Sequence, residues 1–416
     1  MLLLAAASET GLLTQLEKAL PREPISARPP LVGSSAVVPQ RLLLTLLFLG
    51  ATGLHRTWDL RSYTGKTLAR LTGRKRAYGY HYTEAFLSQV AHAGGAESLT
   101  DVLARWTTDL WHPEVEGHEE PRLLTCYIDG HRKPVYSDVL IPRGLIGRLG
   151  VILGCRALVL LHDDQGHPLL ATTHRGDQHL TVGLPAIVSR YERVEKRTQI
   201  NQIIVDREGM AVEFLTCLQK AGRAVVTVLR TDQYRDLTSF TDVGAFVPLR
   251  VDAEARVIRE VAPARIAFPR QSHPGEVLSL QVALVRDLRR MVAVQPDPEE
   301  AAPQRWDADR KAGDLRWTQE GWQATAAPAT AVTPKLIPIV STSATVDAVA
   351  LAQTYIHRWP IQENVIKDFL RPLGLDTNHG FAKTRVENSE AAKQRSKLDL
   401  PFAKTLEAGR GTNRNA

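Results

Sequence analysis

Leu123-Leu-Thr-Cys-Tyr-Ile-Asp129 is a short apolar run that closes on a carboxylate and is followed by Gly130 and His131. A run of this length, rich in β-formers and bounded by turn residues, predicts a strand. Gly130 at its end lets the chain turn or a ligand approach closely. Downstream, Ala157-Leu-Val-Leu-Leu-His162 and Pro168-Leu-Leu-Ala-Thr-Thr-His174 flank Asp163-Asp-Gln-Gly166 and predict a hairpin. Leu184 to Arg197 predicts a helix, and Gln202-Ile-Ile-Val-Asp206 a short buried strand that closes on a second aspartate. Ala211 to Ala221 then reads as an amphipathic helix and Ala224-Val-Val-Thr-Val-Leu229 as a further strand.

Strand, hairpin, helix, strand, helix, strand is the succession of an RNase H-like core, with Asp129 on the first strand and Asp206 on the fourth. The expected class is therefore α/β, with this catalytic core over 120–230 and 335–385. Phe246 to Val251, Ala255 to Val261, Val277 to Val282 and Met291 to Val294 are strand-like, and Pro296 to Pro303 reads as an exposed loop. Residues 231–334 are thus expected to be an inserted β-rich subdomain. Residues 1–115 predict a helical N-terminal domain, because Leu12, Leu13, Leu16 and Leu20 recur at helical spacing and an apolar run follows from Leu42. The polar, basic residues 386–416 have few large apolar side chains and are not expected to form a packed domain by themselves.

A third carboxylate, Glu363, lies in Tyr355-Ile-His-Arg-Trp-Pro-Ile-Gln-Glu-Asn-Val-Ile-Lys367, after a helical pattern from about Thr345 to His357. Pro360 marks a kink or a new helix start. Glu363 and Lys367 also form an ordinary i, i+4 pair. The Arg358 fork suits phosphate, while Trp359 reads as packing this helix on the core in preference to stacking on a base. Three separated carboxylates form a pattern suited to a pair of hard divalent ions, Mg²⁺ or Mn²⁺. Asp129 could bridge both ions, with Asp206 on one and Glu363 on the other. His162, His167, His174 and His179, interleaved with Asp163, Asp164 and Asp177, suggest a second metal site only weakly, since hairpin ends carry Asp and His for turn reasons. Glu208 reads as a helix N-terminal acid.

With 52 Lys+Arg against 45 Asp+Glu, the net charge of +7 leans towards a polyanionic partner. Arg74, Lys75 and Arg76, followed by Tyr78, Tyr80 and Tyr82, could lie along a phosphate backbone and stack on bases. A solvated loop with partly buried tyrosines is the competing reading. Cys126, Cys155 and Cys217 are widely separated in apolar runs, which fits a reducing cytoplasm and gives no zinc motif. The run Leu42 to Leu54 is too short to span a bilayer, so no membrane segment is expected.

Tyr127-Ile-Asp-Gly-His131 with Lys133-Pro134, Ile203-Ile-Val-Asp-Arg-Glu-Gly209, and Tyr355 to Asn364 running on to Gly374-Leu-Asp376 together resemble a DDE transposase of a bacterial insertion sequence. The resemblance is to the broad IS-four-like type, with a β-rich insertion before the catalytic Glu, and covers roughly residues 120–385. The interval from 129 to 206 is 77 residues and that from 206 to 363 is 157, a shorter first and longer second spacing as in that family. The resemblance implies Asp129, Asp206 and Glu363 as catalytic, two Mg²⁺ or Mn²⁺ ions, and DNA contacts through Tyr355, Arg358 and Lys367. It further implies terminal inverted repeats and target DNA as partners, a homodimer in the synaptic complex, and a cytoplasmic, DNA-associated protein. The Arg358-to-Glu363 interval is one residue longer than the family's pattern, Gln362 holds the strict position, and Lys367 follows Glu363 by only four. A decayed copy that binds DNA without catalysis and a hydrolytic RNase H-like nuclease remain the alternatives.

Overall fold

The computed structural model describes residues 2–20, 39–54, 56–71, 78–113, 121–136, 140–146, 150–293, 315–318, 321–324 and 332–363. Arg74, Lys75, Arg76, Lys367, the loop at 296–303 and the tail at 386–416 lie outside them. The chain is mixed α/β, built on a large mixed sheet, and divides into two compact units: 1–200 with 360–416, and 201–359.

The first unit opens with helices α1 (Leu2–Glu9), α2 (Leu12–Ala19), α3 (Pro39–Thr52), α4 (Gly65–Leu71), α5 (Tyr80–His92) and α6 (Gly95–Trp111). The leucine spacing noted in the sequence gives α2 one apolar face, and Leu12, Leu13 and Leu16 bury it against Leu42, Leu43, Phe86 and Val90. Trp106 of α6 packs on this cluster and donates its indole N–H to the Thr10 carbonyl at 3.0 Å. The apolar run from Leu42 is accordingly a buried helix, with Pro39 in its first turn.

Strands β1 (Arg122–Pro134), β2 (Arg143–Ile146), β3 (Val151–His162) and β4 (Pro168–Arg175), helix α7 (Leu180–Val194) and strand β5 (Thr198–Val205) follow. β3 pairs antiparallel with β1, β2 and β4, and the order on this side of the sheet is β2-β3-β1-β5. The hairpin is present, but β1 does not end at Asp129. It runs on to Pro134, with Asp129, Gly130 and His131 opposite Leu160, Val159 and Leu158. Gly130 therefore makes no turn; a Cβ there would stand 3.3 Å from Leu180 of α7. β2 was not expected, and its Gly144 is required by contact: a Cβ would lie 2.2 Å from the Gly176 carbonyl oxygen. Leu184, Ile187, Val188 and Tyr191 make the buried face of α7. The Tyr191 hydroxyl hydrogen-bonds Thr108 of α6 at 3.0 Å, and Arg190 pairs with Asp101 at 2.7 Å.

His162, at the end of β3, is 1% exposed and neither ring nitrogen has a hydrogen-bond partner among the described residues. Burial pushes its pKa down to about 4. The unfolded chain takes up this proton below about pH 6.5, the folded chain only near pH 4, so the unfolded state binds more protons between those values. Stability from this residue is whole above about pH 6.5 and falls by about 3 kcal/mol on descending to pH 4. Urea unfolding of wild type and His162→Leu at neutral and acid pH should show their difference in stability shifting by that amount towards the variant. A difference independent of pH would contradict the buried neutral ring.

The second unit holds the end of β5, a short 3-10 turn (Arg207–Gly209), α8 (Val212–Lys220) and β6 (Ala224–Val228). It continues with β7 (Val247–Val251), β8 (Val257–Pro269), β9 (Val277–Ala293), the paired β10 (Leu315–Thr318) and β11 (Gly321–Ala324), β12 (Val332–Ser341) and α9 (Ala348–Arg358). β5 and β6 are parallel, joined through α8, and the order on this side is β5-β6-β12-β9-β8-β7, with β12, β9, β8 and β7 antiparallel to their neighbours. The strand-like run at 277–282 and residues 291–293 of the next belong to one 17-residue strand, β9. Arg270, after β8, is buried and pairs with Glu213 of α8 at 2.7 Å and with Glu276, fastening the hairpin to the helix start. Asp347 caps α9 by accepting the Ala350 N–H at 2.9 Å, and α9 packs against β8, β9 and β12.

Candidate active site

Asp129 is half-buried within β1 and accepts the N–H of Gly130 on Oδ1 at 2.8 Å. Strand alternation puts it on the face of Tyr127 and His131. Its place is fixed by β3, since eight consecutive β1 residues from Tyr127 to Pro134 are paired with that strand.

Asp206 is the residue directly after β5. It is half-buried and caps the 3-10 turn, its Oδ1 accepting the Glu208 N–H at 2.8 Å. Thr227 of β6 donates its hydroxyl to the Asp206 carbonyl at 2.6 Å, which ties the start of the turn to the next strand. Gly209 closes the turn where a Cβ would come 2.1 Å from a Val205 methyl. Ile-Val-Asp-Arg-Glu-Gly thus folds locally into a strand end and a tight capped turn that fix the direction of one carboxylate. Glu208 is exposed in that turn and heads no α-helix.

The third motif begins on α9, where the Arg358 guanidinium lies 5.5 Å from the Tyr355 ring centroid. Trp359 is 57% exposed, so the packing role expected for it is not observed. Trp359–Glu363 is a turn of π-helix. Pro360 has no N–H to give to an i−4 carbonyl, which removes an α-helical bond where the ladder widens. In a π-turn the bonding interval is five residues instead of four, so residue i+5 takes the axial place that i+4 has in an α-helix. One extra residue between Arg358 and Glu363 is the number such a turn absorbs.

Asp129 stands in the first compact unit and Asp206 in the second, and the side chains of Gln362 and Glu363 lie outside the described residues. Among the described residues, no group of three or more His, Cys, Asp or Glu side chains is arranged to hold a metal ion. The His- and Asp-rich hairpin serves turns and packing. Asp163, 1% exposed at its side chain, accepts from His112 at 2.9 Å, the His167 ring at 2.8 Å and the backbone N–H groups of Gln165 and His167. His174 bonds Thr172, and His179 caps α7. His112 escaped the sequence reading because it is 51 residues from Asp163; Trp111, which stacks on His167 at 4.0 Å, escaped with it.

No family model matches the chain, and no curated protein matches it. No helix among the described residues is long and apolar enough to cross a membrane.

Proposed function

We propose that this chain is a DDE-type DNA transposase that cuts phosphodiester bonds at element ends and transfers the strand to target DNA. The observation that carries the reading is strand pairing. Taking β1, β3, β4, β5 and β6 alone, β3 is antiparallel to both β1 and β4, β5 follows β1 in the sheet order, and β6 runs parallel to β5. This pattern supports an RNase H-like core, with β7 to β11 as the inserted segment. Asp129 lies on its first strand and Asp206 closes its fourth, the positions such an enzyme uses. The π-turn supports Glu363 as the third carboxylate despite the added residue.

Every donor assigned by this reading is a carboxylate oxygen, the ligand type that Mg²⁺ and Mn²⁺ prefer, and Asp206 is oriented by its own turn before any ion arrives. Asp129, Asp206 and Glu363 would hold the two ions, which supply charge neutralisation at phosphorus and activation of the attacking oxygen. Arg358, steadied over Tyr355, binds the phosphates of the DNA end; Lys367 and the Arg74-Lys75-Arg76 cluster extend that contact. Two ends brought together call for a homodimer. The test is incubation with DNA carrying the inverted repeats that flank the gene, in Mg²⁺ or Mn²⁺. Nicked repeat ends and joined products are expected. Nicks without joining would make the protein a nuclease, and bound but uncut DNA would make it a decayed copy.

A further inference from the structure

The pairing of the second unit lines up cations. Arg250 on β7 is opposite Arg259 on β8, Arg259 is opposite Asp287 on β9, and Asp287 is opposite Lys335 on β12. Directly paired residues of antiparallel strands share a face, so the four form one row across four strands, with register shifts on either side of Arg250 in β7 and between Pro334 and Lys335 in β12. Strands lie about 4.8 Å apart, which makes the row about 14 Å long. Arg289, two residues beyond Asp287, joins the row through its guanidinium, 3.7 Å from the Asp287 carboxylate.

Asp287 is the single carboxylate of the row and its side chain is 2% exposed. It accepts the Arg289 N–H at 3.2 Å, and the Arg259 and Arg289 guanidinium groups reach it at 3.4 and 3.7 Å. One buried anion thus steadies two arginines without neutralising the row. Arg250 and Lys335 have no ion-pair partner among the described residues. Of the nearby acids, Asp252 and Glu254 pair with Arg256, and Glu260 stands opposite Arg286, on the other face of the sheet. Arginine opposite arginine destabilises a sheet, and the one anion here, Asp287, reaches Arg259 but is not paired with Arg250.

We propose that this face binds the phosphate backbone of duplex DNA through Arg250, Arg259, Arg289 and Lys335. The inference rests on the reading of the chain as a DNA-handling protein but lies outside the carboxylate set. A row of about 14 Å spans about four phosphates of one strand, measured along the duplex axis.

The test is binding of the full chain to a labelled duplex of arbitrary sequence in EDTA, over a range of salt concentrations, so that catalysis plays no part. Arg250→Gln/Arg289→Gln should lower the slope of log affinity against log salt by about two, one for each lost phosphate contact. Arg250→Lys/Arg289→Lys, which keeps the charge, should retain the slope. Arg256→Gln, on the same hairpin but paired with its own carboxylates, should leave it unchanged. An unaltered slope in the Gln double variant, or an equal loss in Arg256→Gln, would overturn the proposal. Wild type that fails to bind the duplex would contradict both this face and the proposed function. Wild type that binds through the face yet cleaves nothing would contradict the proposed function alone.

Discussion

Glu363→Gln is expected to lower metal-dependent cleavage of repeat-end DNA by about a thousandfold or more, the several kcal/mol that a metal-held charge contributes to the transition state. The double variant Gln362→Glu/Glu363→Gln, which returns the acid to the family's strict spacing, is expected to stay equally inactive. The reason is helical geometry. In an α-helix the residue four after Arg358 would lie about 40° from it around the axis and the fifth about 140° away, on the far side. In the π-turn of Trp359–Glu363 the fifth residue takes the nearer direction. Were the segment α-helical in the working enzyme, the double variant would regain activity and Glu363 would be the wrong residue.

Asp163→Ala is expected to cost about 3 to 5 kcal/mol of stability, the usual penalty for removing one partner from a buried charged network. Asp163 Oδ1 accepts the Gln165 and His167 N–H groups at 2.9 and 2.7 Å, and Oδ2 accepts from the rings of His112 and His167. The carboxylate thereby holds the β3–β4 turn and the end of α6 together. Alanine leaves two backbone donors of a tight turn without an acceptor. Asparagine in its place would keep the size but turn an NH₂ group towards donors on one side, so Asp163→Asn should cost about half as much. Urea unfolding at neutral pH reads both; a loss under about 1 kcal/mol for the alanine variant would mean that water replaces the carboxylate.

The succession β1, β3, β4, β5, β6 was legible in the sequence because each carries a short apolar run beside Gly, Asp or Pro residues, whereas β2, β10 and β11 carry no such run. The extent of β1 was not. Asp129-Gly-His131 carries a turn signal, and it is overridden by pairing to Leu160, Val159 and Leu158 of β3, a long-range contact that local sequence does not encode. β9 was split for a similar reason: Arg286, Asp287, Arg289 and Arg290 look like a loop, yet pairing with β8 and β12 keeps the first of them in the sheet. Asp206 was found at a strand end because Ile203-Ile-Val205 is wholly apolar, but its capping role depends on Glu208 and Thr227, and the latter comes from another strand. Trp359 misled because a large aromatic beside a helix usually packs, whereas here it stands where the helix widens and more than half its surface faces solvent.

Asp129 and Asp206, far apart in sequence, are proposed to act as one metal-dependent site. The direct measurement is Mg²⁺-dependent nicking of repeat-end DNA by wild type, Asp129→Ala and Asp206→Ala at equal DNA occupancy. Nicking by wild type that is lost in both variants, with DNA binding intact, is the expected result. Nicking that persists in either variant would contradict the three-carboxylate site.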